Sequence, residues 1–143
     1  MRKKILLILV ILILILLALS YYQKSKATDG EGIKITYKDQ ETFLTYSKIN
    51  SSEKVSFTTG RGDKLNGFDL ANILKSLNIP TDIKTEYILH SKDGGRLNLI
   101  KEENERIYLV FQHDARGQFV RLVIPSDEFS QRWIKYLETI EIK

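Results

Sequence analysis

Two histidines, one cluster of carboxylates, one arginine-glycine-aspartate triplet and a C-terminal arginine and tryptophan carry what chemistry this chain of 143 residues can offer. His90 and His113 would have to converge, each backed by an oxygen acceptor, to hold a metal. His90 falls on an apolar stretch and His113 at an expected turn beside Asp114, which reads as one packed and one solvated imidazole. Glu102, Glu103 and Glu105 read as a solvated charge run, because the alternating oxygens and tight glycine of a calcium loop are missing. Arg61-Gly62-Asp63 matches the signature read by integrins, although glycine and aspartate are also ordinary turn residues. Trp133 is expected in the core, with an aromatic platform for a flat ligand as the alternative. There is no cysteine, which excludes disulfides, thiolate metal sites and cysteine nucleophiles. GxSxG, a Gly-rich phosphate loop and HExxH are also missing. No catalytic residue and no metal ligand can be named.

The elements that position these residues begin with an apolar run from Ile5 to Leu19, preceded by Arg2, Lys3 and Lys4. With Ser20, Tyr21 and Tyr22 it makes a helix of roughly 27 Å, close to the thickness of a bilayer core. Basic residues 1–4 are expected to stay cytoplasmic, residues 5–22 to span the cell membrane as a single-pass signal-anchor, and the C-terminal domain to lie outside the cytoplasm. The alternative is a secreted chain cut near Ser20, after Ala18-Leu19-Ser20. The anchor is favoured by the length of the run and the bulky tyrosines behind it.

Five of the 22 basic residues flank this segment, namely Arg2, Lys3, Lys4, Lys24 and Lys26, and none of the 18 acidic residues precedes Asp29. The basic excess therefore belongs to the anchor, and the remainder is close to neutral. That argues against a nucleic-acid surface. The Lys, Ile and Asn content suits an AT-rich bacterial genome. Residues 23–32 read as a tether, and residues 33–143 as one α+β domain with a single core.

Within that domain, alternation predicts strands over Ile33–Tyr37, Thr42–Ile49 and Lys54–Thr59, then a loop marked by Gly60, Gly62, Asn66 and Gly67. Leu70, Ile73, Leu74 and Leu77 make a helical stripe over Asp69–Leu77, capped by Asp69 or Asn66 and stopped by Asn78 and Pro80. Thr85–His90 and Arg96–Ile100 form a hairpin about Lys92–Gly95. Arg106–Phe111 and Phe119–Ile124 form another about His113–Gly117. A short helix is expected from Ser126 to Tyr136 and a final strand over Thr139–Ile142.

Three stretches together resemble the oxidoreductase molybdopterin-binding domain of sulfite oxidases and related enzymes, over about residues 53–142. Asn66–Leu74 is similar to the family's aromatic–Gly–x–x–Leu–x–x–Leu–Leu entry to a helix, and Ser91-Lys92-Asp93-Gly94 to its Ser-x-Asp-Gly turn. Phe119–Pro125, followed by Arg132–Leu137 and Ile140-Glu141-Ile142, resembles its Pro-x-Arg-Leu-Val-x-Pro … Trp-Val-Lys … Ile-Glu-Val ending, with Phe119-Val120 in place of the Pro-x before Arg121. The resemblance implies a mostly β domain of the sulfite oxidase type and a cofactor site at Thr59, Asp93 and Arg121. It also implies that Thr59 stands where the family's molybdenum-ligating cysteine would be, and a hydroxyl is a far poorer ligand for that metal. The family's long N-terminal pterin-binding portion and the aromatic after Asp-Gly are absent too; Gly95 follows instead. The expectation is a membrane-anchored binding module without molybdenum catalysis, for an anionic small ligand or a membrane-surface protein. No cofactor is expected, although the resemblance admits molybdopterin. The alternatives are a molybdopterin-dependent oxidoreductase or its accessory subunit, and a cell-surface adhesion or assembly protein. Its cleft would lie between the Gly60–Asn66 loop, the Asp93 turn and Arg121.

Overall fold

A computed structural model describes residues 1–29, 31–81 and 84–143. The chain divides into two compact units, Met1–Glu31 and Gly32–Lys143. The first is one helix, α1 (Arg2–Asp29), which continues through residues 23–29 of the expected tether. Its segment Lys3–Tyr22 is long and apolar enough to cross a membrane, a test that a signal sequence also passes.

The second unit is mostly β. Strand β1 (Gly32–Tyr37) turns at Lys38-Asp39, both left-handed, into β2 (Gln40–Thr45). The expected strand over Thr42–Ile49 breaks here, because residues 46–50 are helical. Thr45 caps α2 (Tyr46–Asn50) by accepting the Lys48 N–H at 3.2 Å, and Tyr46 and Ile49, three apart, bury one face of it. Strands β3 (Lys54–Thr58) and β4 (Lys64–Asp69) form a hairpin. Asn66 and Gly67, expected in a loop, therefore lie in β4: Asn66 accepts a hydrogen bond from Ser56, and Gly67 lets β4 approach its neighbour.

Asp69 caps α3 (Leu70–Ser76). The helix ends in a Schellman motif, with Asn78 left-handed and the N–H groups of Ile79 and Asn78 donating to the carbonyls of Leu74 and Lys75. Then follow β5 (Glu86–Ser91), β6 (Arg96–Ile100), β7 (Tyr108–Asp114), β8 (Gly117–Val123) and β9 (Leu137–Ile142).

One sheet has the order β2-β1-β9-β5-β6, with β1 and β9 parallel; the other is antiparallel, β3-β4-β7-β8. Ile33, Leu44, Leu89 and Ile140 of the first meet Phe68, Leu109, Val120 and Leu122 of the second in one core, sealed by Ile49 of α2 and by Ile73 and Leu74 of α3. The second sheet carries a smaller cluster on its other face. Strand β4 pairs with β7 only at Phe68–Leu109 and Asp69–Tyr108. Beyond that contact the β3–β4 hairpin lays Val55, Phe57 and Leu65 against Tyr108, Val110 and Val123, with Phe57 stacked on Tyr108 at 4.1 Å.

The helix expected over Ser126–Tyr136 does not form. Residues 125–136 cross as turns, with Ser130 and Tyr136 left-handed. Asp127, at the expected first turn, instead binds Arg132, and Ile134 exchanges two backbone hydrogen bonds with Leu122. Those bonds cover the free edge of β8, an unpaired row that would otherwise invite association.

Candidate functional site

Arg121 sits in the middle of β8 on the face that carries the smaller cluster, opposite Val110 and two residues from Phe119 and Val123. The crossing segment brings Trp133 beside it. The indole donates to the Ile124 carbonyl at 2.9 Å, and the guanidinium lies 5.8 Å from the ring centroid. Trp133 also packs on both apolar clusters. The Arg121 Nε is buried without a hydrogen-bond partner, and among the described residues no carboxylate pairs with this side chain. A half-buried cation with an unused donor in an apolar frame favours an incoming anion, because charge-assisted bonds strengthen as water is excluded.

Thr59 and Asp93 are held elsewhere. Thr59 is 4% exposed and closes the β3–β4 turn: its N–H donates to the Asp63 carbonyl at 2.9 Å and its hydroxyl accepts the Asp63 N–H at 3.2 Å. The next residue, Gly60, donates to the Pro125 carbonyl at 2.9 Å, which ties this turn to the end of β8. Asp93 lies in the β5–β6 turn. The Ser91 hydroxyl, then the N–H groups of Asp93 and Gly95 and the charge of Arg116, hold its carboxyl below the usual range. Arg116 precedes β8 and Pro125 follows it, roughly 30 Å apart at 3.3 Å per residue. Thr59 and Asp93 thus belong to opposite ends of the strand that carries Arg121, and the three do not form one cleft. The residues that the resemblance places around a cofactor therefore do not converge, and the Thr59 hydroxyl accepts a hydrogen bond within its own turn.

Other groups turn out to be internally matched. Arg132 is gripped by Asp127 and Glu105, whose side chains are 3% and 4% exposed, and these contacts hold the guanidinium pKa well above its usual value. Glu105 is therefore no part of a solvated run; its partner lies 27 residues away, and nothing local in the sequence signals it. His90 is half-buried and pairs with Glu141 at 2.7 Å rather than packing in the core, while His113 is exposed on the other sheet. Among the described residues no three metal-ligating side chains cluster.

A polar cavity of roughly 590 Å³ is lined by Asp69, Asn72, Tyr87, Lys101, Asn104 and Arg106. Asp69 there caps α3 and accepts from Arg106 at 3.4 Å, and burial pushes the Tyr87 phenol up. Exposed Phe43, Ile100 and Phe129 lie on β2, on β6 and in the crossing segment, scattered rather than gathered into one apolar patch. No protein-family model matches the chain, and no curated protein matches it significantly in sequence.

Proposed function

We propose that the chain is a membrane-anchored, extracytoplasmic binding module built on a reduced molybdopterin-domain-like fold, with Arg121 receiving an anionic group of its ligand or partner. The observation that carries this reading is the Arg121 guanidinium: an unused buried Nε, no acidic partner among the described residues, and an indole beside it. Such a group is costly to leave unsatisfied, and a carboxylate or phosphate would take up its planar fork. The fold reading draws its support from the order of the three motif stretches, which fall at β4–α3, at the β5–β6 turn and along β8 to β9. The orientation draws its support from Arg2, Lys3 and Lys4 ahead of the apolar helix. The module works without molybdenum chemistry of its own.

Trp133 is the only tryptophan, so its emission reports on Arg121 directly. The full chain in detergent micelles is titrated with inorganic phosphate, sulfate and succinate. A saturable change in emission is expected with at least one anion, lost in Arg121→Ala and weakened in Arg121→Lys, which keeps the charge but not the fork. No saturable response to any of the three, or an identical response in Arg121→Ala, rejects the site.

A further inference from the structure

We infer that the tip of the β3–β4 hairpin is a recognition loop for an adhesion receptor that reads a guanidinium and a carboxylate together, the carboxylate through a divalent cation held by the receptor. The tip is Arg61-Gly62-Asp63, and all three residues are exposed. Its backbone is fixed from inside by Thr59, which bonds Asp63 twice and accepts the Gly62 N–H at 2.9 Å, while Gly60 ties the turn to Pro125. Gly62 has φ +89°, where only glycine is at ease, and a Cβ there would meet nothing within 4 Å. The glycine is thus required by the shape of the turn and by no packing neighbour, and the outer side of the tip is open.

The side chains on either side of it are free. Among the described residues neither the Arg61 guanidinium nor the Asp63 carboxylate takes part in an ion pair or a side-chain hydrogen bond. Acidic residues at two other hairpins behave differently. Asp93 is tied to Ser91, and Asp114 to Tyr136 and Lys135. Asp63 keeps its oxygen lone pairs available, and Arg61, two residues away, keeps its five donors. A plain basic patch would use the acid and repel the arginine. A partner that uses both needs an acidic recess for the guanidinium and a hard cation for the carboxylate oxygens. Integrin-type receptors have this chemistry, and the triplet is the one they read. A turn already fixed by its own hydrogen bonds loses little freedom on binding. The inference relies on the extracytoplasmic placement for access in the cell, but it does not use Arg121.

The test uses the full chain in lipid nanodiscs and a purified RGD-binding integrin ectodomain, read by surface plasmon resonance with manganese and then with EDTA. Saturable binding with manganese is expected, lost in EDTA. Asp63→Glu keeps the charge and lengthens the side chain by one methylene. It should weaken binding by about tenfold or more, and its urea midpoint should match wild type, since only the Asp63 backbone is bonded. Arg121→Ala should bind the receptor like wild type while failing the anion titration, which separates this inference from the proposed anion site. No manganese-dependent binding of wild type overturns the inference, as does equal binding by Asp63→Glu.

Discussion

Arg132 neutralises two buried carboxylates at once, and its own side chain is only 27% exposed. Replacing it by methionine keeps much of the apolar stem and strands Glu105 and Asp127 without a cation. Removing one partner of a buried pair costs about 3 kcal/mol or more, so Arg132→Met should lower the urea midpoint sharply; a midpoint within error of wild type would mean that the carboxylates find water instead. Asp114 behaves differently, being half-buried beside a neutral hydroxyl rather than sealed against a cation. Its carboxyl is held below the usual value of 3.8, first by the Tyr136 hydroxyl, then by the Arg116 N–H, with Lys135 adding to both. A carboxylate with a lowered folded pKa contributes stability above its unfolded pKa and loses it as pH falls through the folded one. Asp114→Asn should therefore be less stable than wild type near neutral pH, and the difference should shrink as the pH falls below 3.8 and through the lowered range of the folded carboxyl. Urea midpoints across that range decide it, and a difference that does not change with pH would remove Asp114 from the account.

Gly67 shows why one element resisted a sequence reading. Glycine next to asparagine signals a loop, yet both lie within β4. A Cβ at Gly67 would come within 2.8 Å of the Leu109 carbonyl oxygen and 3.0 Å of Val110, just beyond the short pairing with β7. Gly67→Ala should cost about 1–3 kcal/mol, the usual penalty for forced overpacking. Equilibrium urea unfolding measures the loss, and a cost below about 0.5 kcal/mol would mean that the strands have room to spare. Elements whose cause is local were legible. Strands β1, β3 and β6 alternate, and α3 carries its stripe, its Asp69 cap and its Asn78 stop within ten residues. Elements set by distant partners were not. The crossing over residues 125–136 has a helix-like apolar spacing, but Arg132 answers to Glu105, and Ile134 to Leu122. The candidate site divides in the same way. Arg121 was legible on its strand, whereas the separation of Thr59 from Asp93 depends on which end of β8 each hairpin meets.

The core of the larger unit draws on residues from Ile33 onward, in a chain that has no cysteine to brace it. Packing between the two sheets must then supply the stability that small domains outside the cytoplasm often take from disulfides. If the unit stands on that packing alone, a chain starting at Ala27 should unfold in one transition, with the urea midpoint of the full chain in micelles. A loss equivalent to more than about 1 kcal/mol would show that α1 contributes to the fold. The same pair of chains tests the anchor. The full chain should stay in the membrane pellet after carbonate washing and the shortened one in the supernatant, since burying an apolar helix of 20 residues outweighs anything a surface contact supplies. The intact mass of the membrane fraction then separates the two roles of the helix: an unshortened chain marks a permanent anchor, and a chain lacking residues 1–20 marks a cleaved signal. The first result keeps the Arg121 face and the Arg61-Gly62-Asp63 tip on the cell that made them. The second frees them as a soluble ligand, and the partner to look for then lies on another surface.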